Sequence, residues 1–157
     1  MTSPNPYRPP EAQVADQDRP RGSPVKGMLF GALVDIGGTM VGSIILGVIW
    51  SIGLAASGES SEQIEQTLQN PDATSLITVV GFAMGTAFSV LGGYVCARVA
   101  RETEYRCAGV VSLASITFGL VAGGGQSFEM NILTIVATVA AVMLGAWMGA
   151  QRNARQP

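Results

Sequence analysis

Charged side chains disappear from this chain in four long runs and return between them. Gly27 to Gly58 holds one, Asp35, while Ala73–Ala97, Cys107–Phe128 and Met130–Gln151 hold none. A helix needs about 20 predominantly apolar residues to cross a hydrocarbon core ~30 Å thick. The pattern therefore predicts four spans, at about 27–54, 75–99, 107–122 and 131–150. The expected fold is all-α: a polytopic membrane four-helix bundle over residues 27–150, with tails at 1–26 and 151–157.

The connectors are read from their polar residues. Between spans one and two, Ser60 and Gln63 have capping-box spacing, Ile64 and Leu68 lie four apart, and Pro71 follows. A short helix on the membrane surface is expected there. Arg101–Arg106 reads as a tight, solvated loop, and Gly123-Gly124-Gly125 as a turn into span four. The tail carries six of the eight prolines, Pro4, Pro6, Pro9, Pro10, Pro20 and Pro24, which block helix formation and favour a disordered, solvated segment. This polar start does not read as a cleaved signal, which needs an early apolar stretch.

Charge then orients the spans. All nine basic residues fall on one side of the four-span arrangement: Arg8, Arg19, Arg21, Lys26, Arg98, Arg101, Arg106, Arg152 and Arg155. The opposite loops carry only acids, Glu59, Glu62, Glu65, Asp72 and Glu129. Basic residues are retained in the cytoplasm during insertion, so both termini are expected inside, in a bacterial-type inner (cytoplasmic) membrane. Phe30, Tyr94, Tyr105 and Trp147 then lie toward the inner face, and Trp50, Phe82 and Phe128 toward the outer. Charged residues make up only 13% of the 157-residue chain and the net charge is −2, which speaks against a nucleic-acid partner. With no histidine and only Cys96 and Cys107, no metal site or other cofactor is expected, and both thiols should be free in the reducing cytoplasm.

Each span bears a stripe of small residues. Span one has Gly31, Gly38 and Gly42 in line with Asp35, and span two has Gly81, Gly85, Ser89, Gly92 and Cys96. Span three has Ser112, Ser115 and Gly119; span four has Ala137, Ala141, Gly145 and Gly149. Lipid tails are as apolar as leucine, so close backbone approach and hydrogen bonds must drive assembly, and the glycines are the expected packing positions. Such stripes also suit a homo-oligomer or a membrane-protein partner. Leu91–Arg98 and Leu144–Gln151 are similar enough to suggest two related hairpins, as in parallel-repeat transporters.

Asp35 is the residue that costs energy without an evident structural return. It lies eight residues past Gly27, ~12 Å along the helix. An acid at that depth costs roughly 2.5–3.5 kcal/mol on insertion scales. Counting depth along the neighbouring spans brings Ser89 and Ser115 to its level, with Arg98 nearer the cytoplasm. Asp35, Ser89 and Ser115 thus form a candidate intramembrane polar site. It would bind a proton or cation, dock a basic residue of a partner, or only fix packing by a hydrogen bond to Thr39 or a facing serine. No nucleophile elbow, phosphate loop or metalloprotease helix is present, and no enzymatic activity is expected.

Two short strings carry a resemblance. Asn5-Pro6-Tyr7-Arg8-Pro9-Pro10-Glu11-Ala12 resembles the N-P-Y-x-P-P-x-A opening of many small proteobacterial membrane proteins. Gly92-Gly93-Tyr94-Val95-Cys96-Ala97-Arg98-Val99-Ala100-Arg101, followed shortly by Ala108-Gly109-Val110-Val111, is similar to a G-G-[YF]-x-A-x-R-x-A signature of uncharacterised four-span bacterial inner-membrane proteins. The resemblance implies compartment and architecture and carries no activity. The leading expectation is a structural or accessory protein acting through helix packing with itself or a partner. The alternative is a small proton- or ion-linked transporter or channel centred on Asp35.

Overall fold

The computed structural model of the chain describes residues 22–69, 75–122 and 128–155. Residues 1–21 of the proline-rich tail, the Gly123-Gly124-Gly125 turn and Asp72 lie outside them, while the last tail residues, Pro24 to Lys26, are not disordered but form the first turn of a helix. Among the described residues the regular structure is entirely helical, in the chain order α1 Pro24–Ala56, α2 Ser61–Gln69, α3 Leu76–Ala100, α4 Glu104–Ala122 and α5 Phe128–Ala154. Three runs are long and apolar enough to cross a membrane: Pro24–Ala56, Leu76–Ala122 and Phe128–Ala154. They support a membrane protein.

Local signals set the helix ends. Ser23 caps α1, its Oγ accepting from the Lys26 backbone N–H at 3.4 Å, and Pro24 occupies the first turn, where its missing N–H costs nothing. Ser75 caps α3 in the same way, accepting from the Thr78 N–H at 3.4 Å. At α2 the Ser60 N–H donates to Gln63 Oε1 at 2.9 Å and the Gln63 N–H to Ser60 Oγ at 3.4 Å, a reciprocal capping box.

The middle run of 47 residues would be ~70 Å long as one straight helix, more than twice the hydrocarbon thickness. It breaks instead. Arg101 sits at φ 46°, and Arg101–Thr103 forms a tight 3₁₀ turn between α3 and α4. Ser89 and Ser115, on opposite sides of this break, both reach Asp35 of α1, so the chain folds back there.

The bundle is tight at one end and open at the other. At the end holding Pro24, Arg101 and Ala154, the parallel helices α3 and α5 meet backbone to backbone. A Cβ built on Gly145 would lie 1.9 Å from the Val90 carbonyl oxygen, and one on Gly93 2.1 Å from that of Val142. The two strings that resemble each other, Leu91–Arg98 and Leu144–Gln151, are thus packed together: a Cβ on Gly149 would meet the Tyr94 oxygen at 2.8 Å. Helix α1 joins α3 through Gly31 and Gly92, each of whose added Cβ would come within 3 Å of the other's carbonyl oxygen. Cys96, Ala97, Ala100, Cys107, Ala108, Val111, Val142 and Ala146 form the buried core, and both thiols are free.

Polar contacts close the same end. Arg98, placed by sequence depth nearer the cytoplasm than Asp35, donates from Nη1 to Asn153 Oδ1 at 2.9 Å. The Asn153 amide in turn donates to the Ala97 carbonyl at 2.9 Å and to Glu104 Oε1 at 3.2 Å, joining α3, α4 and α5 through one side chain. Asn153→Ala is expected to cost about 1–3 kcal/mol, read as a lower thermal-unfolding midpoint in detergent. An unchanged midpoint would show that the helix ends hold without it.

Toward the other end the contacts loosen. Gly38 and Gly42 face side chains, Phe88 and Met84, in place of backbone. A Cβ on Gly81 or Gly85 would find nothing nearer than 3.7 Å, and one on Gly119 nothing within 4 Å. Val41, Ile44, Val48, Ile52, Val121 and Phe128 lie exposed along this part, Val121 at 81%.

Candidate functional site

The helical ladder of α1 widens into a π turn at Leu33–Gly37, and Asp35 lies in it. Such one-turn widenings inside α-helices recur at functional sites, and each one re-aims the residues that follow. Asp35 is only 3% exposed because Gly31 and Gly92 bring α1 and α3 together just beneath it; a Cβ on Gly92 would touch the Asp35 Cβ at 2.7 Å.

Both carboxyl oxygens are engaged. The Ser89 hydroxyl of α3 donates to Oδ1 at 2.8 Å, and the Ser115 hydroxyl of α4 donates to Oδ2 at 2.5 Å. Ser89 is itself buried, at 6% exposure. The three residues brought to one depth by counting along the sequence are therefore in direct contact, one from each of three helices. Their hydrogen bonds satisfy a group that would otherwise lose several kcal/mol on leaving water.

Beyond Asp35 the helices diverge around a cavity of about 530 Å³. Asp35, Ser89 and Ser115 are the innermost lining residues of their helices, so the carboxyl group stands at the closed end. From there the lining runs outward along α1 to Ser43, along α3 to Thr78, along α4 to Ala122 and along α5 to Met130. Apolar residues dominate the walls, interrupted by hydroxyl and amide side chains.

Several of these polar residues were not part of the sequence expectation: Ser43, Thr86, Asn131, Thr134 and Thr138. The signal was present on α5, where Asn131, Thr134 and Thr138 recur at intervals of three and four, on one helical face. Of the glycines expected at packing positions, Gly31, Gly92, Gly145 and Gly149 lie against backbone, Gly38 and Gly42 against side chains, and Gly81 and Gly85 on the cavity wall. Among the described residues, no three His, Cys, Asp or Glu side chains gather in a group that could hold a metal ion.

The basic residues gather at one end of the bundle. Lys26, Arg98, Arg101, Arg106, Arg152 and Arg155 belong to the tight end, together with Glu102 and Glu104, while Glu59, Glu62, Glu65 and Glu129 lie at the open end. No family model, no curated protein and no solved structure matches this chain.

Proposed function

We propose that this chain is a four-span inner-membrane protein of bacterial type, with both termini cytoplasmic, and that its working part is the cavity closed by Asp35. The protein handles a proton or small cation there, as a transporter or channel, without enzymatic chemistry. Four crossings are supported by the fold-back at Arg101, which leaves α3 and α4 each about as long as the hydrocarbon core is thick. Orientation is supported by the basic residues, which mark the tight end as cytoplasmic and leave the cavity facing outward.

One observation carries the reading: a buried carboxyl group closes the inner end of a cavity of about 530 Å³ whose lining includes further hydroxyl groups. An acid that only fastened helices would need no cavity beside it. Ionisable groups within membranes are costly and mark ion or proton pathways by default. The test is flux into proteoliposomes under an imposed proton or cation gradient. Asp35→Asn keeps the shape and hydrogen-bonding capacity but cannot ionise. The variant is expected to stay folded and to lose at least ~10-fold in flux, equivalent to about 1.4 kcal/mol. Wild-type flux in the variant would contradict the reading.

A second reading, an accessory protein that packs against itself or a partner, is favoured by the outer part of α1, where a Cβ on Gly47 or Gly53 would meet nothing within 4 Å, so small positions stand open to another helix. Native mass spectrometry after gentle extraction addresses it: a discrete homo-oligomer or a stoichiometric second protein supports this reading, and a uniform monomer opposes it.

A further inference from the structure

At its closed end the Asp35 cavity presents hydrogen-bond acceptors in preference to donors. Ser89 and Ser115 direct their hydroxyl protons to Asp35. Thr86 donates back to the Phe82 carbonyl at 2.8 Å, and Thr134 to that of Met130 at 2.8 Å. A hydroxyl has one proton and two lone pairs, so these four can meet a ligand only with lone pairs. Among the described residues no Lys or Arg lines the cavity. Asp35 is the one ionisable side chain that lines the cavity among the described residues. A ligand suited to these surroundings is positively charged and donates hydrogen bonds.

Size and walls narrow the class further. An alkali ion needs only a few oxygens around it, whereas about 530 Å³ falls in the range of sites for small organic molecules, ~300–1,000 Å³. Phe82, Phe118, Ile36 and Ile116 line the space and suit an apolar body, with aromatic faces that also attract a cation. We propose that the cavity binds a primary ammonium carrying a compact apolar body. Its three N–H donors go to the Asp35 carboxylate and the Ser89 and Ser115 oxygens, and its hydrocarbon part packs outward between α3 and α4. The proposal rests on the reading of the cavity as the working part of the protein, and adds the chemistry of its ligand.

The test is calorimetric titration of the full chain in phosphatidylcholine nanodiscs at neutral pH, with empty discs as blank. The probes are benzylammonium and its neutral counterpart, benzyl alcohol. Saturable benzylammonium binding is expected, with benzyl alcohol at least ~10-fold weaker and Asp35→Asn weakening the amine by a similar factor, since hydrogen bonds to charged groups contribute that much. Gly119→Leu is the second variant. An added Cβ there meets nothing within 4 Å, leucine suits a helix better than glycine, and the side chain enters the cavity one turn outward from Ser115. It is expected to abolish amine binding in a folded protein. Equal binding of amine and alcohol, or amine binding unchanged in both variants, would overturn the proposal, as would the absence of saturable binding. Saturable, Asp35-dependent binding without flux in proteoliposomes would sink the transport reading and leave the site standing. Asp35-dependent proton flux without amine binding would do the reverse.

Discussion

Gly145→Val should abolish the folded bundle. The first added carbon would lie 1.9 Å from the Val90 carbonyl oxygen and 2.8 Å from the Tyr94 backbone nitrogen. Backbone atoms inside a helix have no rotamer by which to move aside, so α5 would have to separate from α3 along their whole contact. Overpacking a well-packed core costs about 1–3 kcal/mol where side chains can adjust, and more where they cannot. In a membrane the loss is not offset by apolar burial, because lipid solvates an exposed valine as well as protein does. Size-exclusion chromatography in detergent is expected to show the monodisperse peak lost for Gly145→Val and kept for Gly119→Ala, whose site is open. Survival of the Gly145→Val peak would mean that the α3–α5 contact is not what holds the bundle together.

The second large effect is expected from removing both hydroxyls that face Asp35. Ser89→Ala or Ser115→Ala alone leaves one carboxyl oxygen bonded, and each should cost about 1.5–3 kcal/mol. Together they leave the whole group without a protein donor at its buried position, and a loss of about 3–6 kcal/mol is expected. Adding Asp35→Leu to the double variant should restore part of that loss, because the group that needed the hydroxyls has gone. The thermodynamic cycle, read from unfolding midpoints, measures this coupling directly. No recovery on adding Asp35→Leu would show that the serines act independently of the acid.

What the sequence could disclose followed from two regularities. Charge is excluded from hydrocarbon, so the limits of the apolar runs bracket the helices, although caps such as Ser23 and Ser75 decide the actual first turns. Helical rise is constant, so counting residues brings Asp35, Ser89 and Ser115 to one depth before any contact is known. Arg98 shows the limit of that counting: depth left it free to approach Asp35 and gave no sign of its hydrogen bond to Asn153, on a helix that ends 56 residues further along the chain. The cavity was not legible for a related reason. A small residue at helical spacing marks either a close contact or a gap, and only the divergence of the helices decides which. Gly92 and Gly85 occupy equivalent-looking positions on α3, yet one touches α1 and the other faces the cavity. The π turn around Asp35 likewise left no local signature in composition.

The proposed arrangement has its tight end in the cytoplasm and its cavity reached from the other side. Single cysteines at Ser60, Thr86 and Gln151 would test it in spheroplasts, since the native Cys96 and Cys107 are buried. The reagent is a small impermeant methanethiosulfonate carrying a trimethylammonium group. Reaction at Ser60 and Thr86 in intact spheroplasts, with Gln151 reacting only once the membrane is opened, is the predicted result. Gln151 reacting in intact spheroplasts, or Thr86 reacting only after lysis, would contradict it.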